Sequence, residues 1–373
     1  MRQTLLPRGQ RGAAWLLLAV TTAIFLAACG GPSGTPARPP QASAPSGGAS
    51  SGTQASPGQA RAPAQPTIPP ERVKLTVPYT PLAASSLPLW NAAEENRWEK
   101  YGLDVSLEYV GGASIIIQAM TGGQWDLGII SGGDMALNRF QGGELTLIGA
   151  YVSTFTIEPW ARPDIRSAAD LRGKTIPVTR YGTASHFAII SLLASAGLKP
   201  DDATIIQSGG NQETLAMLLN NLGAAAPLAY PYNLEARKQG YHRLLSFLEL
   251  GEYGMFPQNA LTARESWLKE PRNRDVALRF LRGLDEGRAL AKNDPALTKA
   301  SIRKYTKVED EAILQETFDF YADFFPANLE VPEGSIVNML RLLDHPAAAT
   351  ADPKQFYDNS LVQEIARTPA PTR

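Results

Sequence analysis

The feature that most constrains this chain is a unit that occurs twice. Val110 to Gly142 reads as a Gly111-Gly112 loop reaching Ser114, a helix, the apolar strand Leu127 to Ile130, the loop Ser131-Gly132-Gly133 and a second helix. Displaced by 98 residues without a gap, Gly209-Gly210 falls on Gly111-Gly112, Leu215 and Leu218 on Ile117 and Met120, and Arg237, Gln239 and Gly240 on Arg139, Gln141 and Gly142. The order of loop, helix, strand and loop repeats as well, which predicts two similar lobes, each with a glycine-rich rim. Glycines between a strand end and a helix start allow unusual torsions and let a ligand come close to the backbone.

A chain of 373 residues with 44% apolar content has room for about two domains at the usual ~150 residues each. Its 35 basic and 36 acidic residues point neither to nucleic acid nor to broad electrostatic capture of a membrane. At the amino terminus Arg2, Arg8 and Arg11 precede the apolar run Ala13 to Leu26, and Leu26-Ala27-Ala28-Cys29 follows. The run is too short for an ordinary membrane span. The segment resembles the lipobox of a bacterial lipoprotein, with a short membrane anchor and an incidental cysteine as the plainer alternative. The resemblance implies a signal peptide over residues 1–28, cleavage before Cys29, lipidation of Cys29, and attachment by the lipid alone to a bacterial membrane, in the periplasm or at the cell surface. Cys29 is the only cysteine, so a disulfide framework and a cysteine nucleophile in the folded part are both excluded. Residues 29–71 are rich in Pro, Gly, Ser and Ala and cannot bury a core; they read as a disordered tether.

From Arg72 onward strands and helices alternate. Val73, Leu75, Val77 and Tyr79 mark a first strand. A helix follows to about Tyr101, closed by Gly102, and Leu103 to Val110 is the second strand. Leu145 to Tyr151 is a further strand, and Val152 to Asp164 carries the exposed-looking mixture of a crossing between lobes. A second unit runs through a strand at Thr175 to Thr179, an apolar helix ending near Gly197, Ile205-Ile206, the Gly209-Gly210-Asn211 loop and the strand end Leu228 to Tyr232. Met255 to Arg264 is placed to cross back. Beyond Glu265 the pattern is helical, with Val276, Phe280, Leu281 and Leu284 as a buried stripe, and the last dozen residues read as frayed. The fold class expected is α/β, a mainly parallel sheet with helices on both faces in each lobe. The boundaries expected are residues 72–157 and 259–350 for lobe 1, 158–258 for lobe 2 and 351–373 for a tail.

Several segments in order carry a resemblance: Pro88-Leu89-Trp90, Lys100 to Val105, Asp126-Leu127-Gly128, Ala169 to Lys174, Tyr181-Gly182-Thr183-Ala184 and Leu198 to Asp202. Together they are similar to the type 2 periplasmic binding proteins of the sulfonate, nitrate and thiamine-precursor family, the extracytoplasmic receptors of ABC importers. The resemblance covers about Val73 to Leu343 and implies two lobes joined by two crossings, with ligand between them. It implies a membrane permease with a cytoplasmic ATPase as partners, a small-molecule ligand, no cofactor, no nucleic acid and a monomeric receptor. The chain departs from the family at Asn221 to Ala226, where relatives carry an acidic residue before the second-lobe strand; the first-lobe Asp126 is present.

Ligands in open parallel sheets bind beyond the carboxyl ends of strands, where helix amino termini offer unpaired N–H groups. The candidates that follow are Ser85 and Ser86, Gly112, Ser131 and Gly132, Thr183 and Ser185, and Asn211. Arg180 is a candidate partner for an anion and Glu158 for an amine, while Tyr181, Tyr230 and Tyr232 are candidates for stacking on a planar ring, with Trp160 near a crossing. Each has a plainer role as cap, surface ion or packing. His186, His242 and His345 are far apart, which argues against a metal site. The functional reading is a solute receptor without chemistry of its own, for a sulfonate or other anion or for a vitamin-precursor heterocycle. A sensory or adaptor lipoprotein is one alternative. An enzyme like the thiamine-pyrimidine synthase that shares this fold is another, but no lysine falls in a predicted rim loop.

Overall fold

The structure, a computed structural model, describes residues 72–368. Cys29, the expected signal peptide and the expected tether lie outside the described residues. The chain begins with β1 (Val73–Tyr79), α1 (Leu87–Glu94), β2 (Leu103–Tyr109), α2 (Ala113–Thr121), β3 (Leu127–Ile130), α3 (Gly132–Phe140) and β4 (Leu145–Thr154). It continues through β5 (Glu158–Ala161), β6 (Thr175–Val178), α4 (Ala184–Ser195), β7 (Thr204–Gln207), α5 (Asn211–Leu219), β8 (Ala225–Leu228), α6 (Tyr232–Lys238) and β9 (His242–Arg243). It then returns along β10 (Met255–Arg264) to α7 (Glu265–Leu268), α8 (Pro271–Asn293), α9 (Pro295–Thr306), α10 (Glu311–Phe324), α11 (Glu333–Leu342) and α12 (Ser360–Arg367).

The first sheet has the order β2-β1-β3-β10-β4. Strands β1, β2 and β3 are mutually parallel, whereas β10 is inserted antiparallel between β3 and β4, with Ala260 opposite Ile130 and Ala263 opposite Leu127. The expected parallel sheet is thus broken at one strand, because the chain returns from the second lobe in the opposite direction. In the second lobe β5 lies antiparallel between β8 and β9, and β6 pairs with β7 in parallel. The Ala224 N–H donates to the Thr175 carbonyl at 2.8 Å, which brings β6 against the start of β8.

The repeat read from the sequence is present in the backbone. Moved by 98 residues, the bounds of α2 and β3 coincide with those of α5 and β8. Gly142 and Gly240, one displacement apart, close α3 and α6 with φ of 84° and 85°, a left-handed torsion that favours glycine. Asp126, before β3, pairs with Arg264 at the end of β10. Ala224, its counterpart, has no such partner and contributes only its backbone.

Two expectations are corrected. Residues Val152 to Asp164 do cross between the lobes but are mostly not exposed: β4 runs on to Thr154, all four residues of β5 are buried, since β5 is the central strand of its sheet, and only Pro163 and Asp164 are exposed. Of the last dozen residues, those to Arg367 belong to α12, which buries Val362 against the first-lobe core, and residues 369–373 lie outside the described residues. Just before them, Phe356 and Asp358 exchange backbone hydrogen bonds with Leu147 of β4 at 3.0 and 2.8 Å.

The C-terminal helices complete that core. The α8 stripe Val276, Phe280, Leu281 and Leu284 is buried as expected, and Trp98 stacks on Phe280 while its indole N–H donates to the Phe280 carbonyl at 2.8 Å. Helices α1 and α8 touch almost backbone to backbone: a Cβ added to Gly287 would stand 2.0 Å from the Pro88 carbonyl oxygen and 2.7 Å from the Ala92 Cβ. Main chain on one side cannot rotate away, so even one methyl must push the helices apart. Gly287→Ala is expected to lower stability by about 1–3 kcal/mol in denaturant unfolding; an unchanged midpoint would show that α8 is not seated this closely on α1.

Candidate functional site

Two adjoining cavities lie between the lobes, beyond the strand ends. The inner one, about 50 Å³, has Thr80, Pro81, Ser131 and Asp134 on the first lobe and Thr179, Thr183, Ala184, Ser185 and Asn211 on the second, with Ile157 and Gln258 of the crossings between them. The outer one, about 30 Å³, shares Thr80, Pro81, Thr179, Thr183 and Asn211 and adds Leu82, Tyr109, Gly111 and Gly112 opposite Arg180, Gly209 and Gly210.

Local sequence explains each wall. Ser131 is the residue before α3: its hydroxyl accepts from the Asp134 N–H at 3.3 Å and donates to Asp134 Oδ2 at 2.6 Å. A Ser with an acid three residues on satisfies one orphan helix donor and fixes the acid in the first turn. Across the cleft, Thr179, Thr183 and Ser185 form a hydroxyl cluster. Their oxygens lie 2.6 to 3.1 Å apart, Ser185 accepts from the Thr179 N–H at 3.0 Å, and Thr183 donates to the Arg180 carbonyl at 2.8 Å.

Direct bonds already join the lobes. Arg180 Nε donates to the Gly111 carbonyl at 2.6 Å, and the Asn211 amide and the Tyr232 hydroxyl donate to the Leu82 carbonyl at 3.3 and 3.4 Å. Gly112 lies under Arg180, whose Nε would be 2.8 Å from an added Cβ. Gly133 lies under Phe187 of α4, whose ring carbon would be 2.3 Å away. Phe187 continues through Phe256 to Phe155 and Phe247, an aromatic group that wraps the crossings, with centroid separations of 5.4, 4.5 and 4.9 Å.

Asp134 is the only ionisable side chain lining the inner cavity. It is 8% exposed, and burial pushes its carboxyl up to about 7, against the opposing effect of the Ser131 hydroxyl and the backbone there. His186, at the start of α4, is held below its usual range by burial, and its Nδ1 accepts from the Gly182 N–H at 3.2 Å. Among the described residues no group of three or more His, Cys, Asp or Glu is placed to hold a metal ion.

Of the residues read from the sequence, Ser131, Thr183, Ser185 and Asn211 line the inner cavity, and Gly112 and Arg180 the outer one. The others are elsewhere. Ser85 and Ser86 are fully buried behind the first strand, and Ser86 donates to the Pro81 carbonyl at 2.9 Å. Gly132 is packed against Pro257, 2.2 Å from where a Cβ would be. Glu158 lies in the central strand β5, 1% exposed and paired with Arg243 at 2.9 Å; burial raises its pKa. Tyr181 faces solvent, 53% exposed, with its hydroxyl on the Ile205 carbonyl at 2.7 Å. Tyr230 stacks on Phe320 at 4.2 Å, Tyr232 is buried behind the inner wall, and Trp160 is buried with Leu218 and Leu228. The aromatic rim expected on the second lobe is therefore absent from the two cavities, where Tyr109 of the first lobe is the sole aromatic lining residue.

Sequence reading missed Thr80, Thr179, Gln258, Tyr109 and Asp134. Asp134 carried a signal, the Ser131-Gly132-Gly133-Asp134 capping pattern; Gln258 carried none of its own, although it falls in Met255 to Arg264, the segment placed to cross back.

Two α/β lobes joined by two crossings, with polar cavities between them at strand ends and a helical C-terminal part, define the periplasmic-binding-protein fold. The NMT1/THI5-like family model matches residues 84–297, more than half of the chain, and the protein belongs to that family. A Brucella abortus protein described as a binding protein is 26% identical over 220 residues, 58% of this chain and 67% of its own length. The riboflavin-binding protein RibY of Chloroflexus aurantiacus is 25% identical over 290 residues, 75% of each chain. The aliphatic sulfonate-binding protein SsuA of Escherichia coli superposes with a TM-score of 0.62 at 18% identity, covering 79% of this chain and all of its own. These relatives are binding proteins.

The buried carboxyl makes the site measurable through pH. Its folded pKa lies about 7, whereas an unfolded carboxyl titrates at about 4. Between these values the folded protein holds a proton that the unfolded chain has released, so stability falls as pH rises through that window, by up to about 1.4 kcal/mol per unit. Asp134→Asn is expected to remove that slope from the stability profile between about pH 4 and 7. A variant profile parallel to the wild type's would place the buried acid elsewhere.

Proposed function

We propose that this protein is the solute receptor of an ABC importer, held at the outer face of a bacterial membrane by lipid on Cys29. It captures one small polar ligand between its lobes and presents the closed form to a permease. It acts as a monomer and catalyses no reaction, and its relatives by name bind rather than transform their ligands. In this reading residues 72–157 and 259–350 make one lobe and 158–258 the other.

One observation carries the proposal: hydroxyls, amides and a carboxyl from both lobes converge on one small cavity that the lobes themselves close. Ser131 and Asp134 face Thr183, Ser185 and Asn211 across it, and Arg180 latches onto Gly111 at its mouth. A ligand touching both walls favours the closed arrangement in proportion to its contacts with the two lobes together, and such hinge closure is how binding becomes a change of shape. The sulfonate ligand of one relative and the flavin of another bracket the candidates: an anion, or a vitamin-precursor heterocycle.

A thermal-shift screen of the full chain across sulfonates, nitrate, pyrimidines and flavin precursors tests this. A ligand bound by the folded state alone stabilises it by about 2.7 kcal/mol at a hundred times its Kd. Arg180→Ala, which removes the latch, is expected to weaken the same ligand at least several-fold and to leave lobe packing intact. A well-folded, ligand-free protein that responds to none of these compounds would remove the receptor reading.

A further inference from the structure

We propose that Asp134 selects the ligand by accepting a hydrogen bond from an N–H-bearing cationic group, such as an ammonium or amidinium, at the inner end of the cleft. The inference rests on the receptor reading above and decides between the ligand classes that reading leaves open.

The geometry of the carboxyl carries it. Oδ2 is held by the Ser131 hydroxyl at 2.6 Å. Oδ1 has no hydrogen-bond partner among the described residues and points toward the opposite lobe, 3.9 Å from where a Cβ on Gly182 would stand. Asp134, more than nine-tenths buried, lines the inner cavity and keeps this oxygen unpaired. If the acid served only to cap α3, the Ser131 contact would suffice.

The inner cavity gives an anion no cationic partner. No lysine, arginine or histidine lines it; Arg180 lines only the outer one, where its Nε donates to Gly111 and its terminal nitrogens serve that cavity alone. An anion beside a buried carboxylate with no cation is repelled in a weakly screening environment, whereas a cation there is attracted and gains a charge-assisted hydrogen bond. The elements around α3 do not alter that balance. Helix α2 carries no ionisable side chain, strand β4 carries only Tyr151, whose phenol burial keeps protonated, the Arg264 of β10 pairs with Asp126, α11 carries Glu333, bonded to Tyr357, and Arg341, and α4 presents His186, whose neutral form burial favours. Ser131 spends its proton on Asp134 Oδ2 and Thr183 on the Arg180 carbonyl, and Thr179 and Ser185 share theirs, so Oδ1 is the charged acceptor left open here.

The test uses the purified full chain with four probes of similar size, methylammonium and acetamidinium against nitrate and methanesulfonate, by thermal shift at pH 6 and 8. The cations are expected to raise the melting temperature, acetamidinium more strongly at pH 8, and Asp134→Asn to weaken acetamidinium at least tenfold while keeping the Ser131 contact. Should the variant fail to fold, titration calorimetry of the wild type decides: at pH 6 acetamidinium should displace a proton, seen as a binding heat that depends on the buffer's ionisation enthalpy. Stabilisation by the anions alone, above all one that grows toward pH 6 where a protonated acid could donate to them, would overturn the inference and leave the receptor reading in place. So would acetamidinium binding unchanged by Asp134→Asn or unaccompanied by proton release. No response to any probe or to any compound of the wider screen would overturn both.

Discussion

Two buried hydrogen bonds between the crossings hold the arrangement on which everything else depends. Gln258, in the returning strand, accepts from the Thr156 N–H at 2.8 Å and donates to the Thr156 hydroxyl at 2.7 Å. Thr156 lies where the chain leaves the first lobe, Gln258 where it comes back. One side-chain amide therefore satisfies a backbone donor and a hydroxyl that no sheet partner reaches, in a place where an unpaired polar group would cost about 1–3 kcal/mol. Asn259 extends the pair to the Tyr151 hydroxyl at 3.4 Å, and Phe155 and Phe256 stack beside it. Because Gln258 also lines the inner cavity, the joint between the lobes is the floor of the cleft.

Around that floor the two walls differ in kind. The second-lobe hydroxyls are largely saturated by one another and by backbone, which pre-positions them and leaves them limited capacity for further bonds. The first-lobe wall offers fewer groups, but Asp134 is fixed on one side and open on the other. Specificity in such a site follows from the group left unpaired, since a ligand that cannot satisfy it leaves a buried polar atom without a partner. Close backbone approach sets the dimensions: Gly112 under Arg180 and Gly133 under Phe187 bring the walls nearer than any side chain would permit.

Much of the fold was legible because period and repetition are local signals. The 98-residue displacement placed α5 and β8 from α2 and β3, and the spacing of Val276, Phe280, Leu281 and Leu284 marked the buried face of α8. Direction was harder to read: nothing in Met255 to Arg264 shows that it runs antiparallel between β3 and β4, since that follows from where the chain has been. Burial of the crossing was likewise hidden. Glu158 looks like a surface residue by type, yet a strand with neighbours on both sides buries whatever it carries, and Glu158 is tolerated by pairing with Arg243. In the site, residues at helix starts were found because capping has a sequence signature. The tyrosines failed for the opposite reason: an aromatic near a strand end is as well used by packing, and Tyr230 and Tyr232 pack beneath the wall that they were expected to form.

The contact between Phe187 and Gly133 has a mechanical consequence. A ring seated on bare main chain is a doorstop, because the helical backbone cannot yield by rotating a bond and the ring is itself packed against Phe256. The angle between the lobes is then gauged by the protein itself and not by the size of what it holds. For the receptor proposed above, every cargo small enough for the ring to reach its seat would produce the same outline, and a larger one would leave a gap that a partner outside the cleft could detect. A glycine thus acts as a calliper, converting differences in cargo into a single fit-or-no-fit reading at the surface.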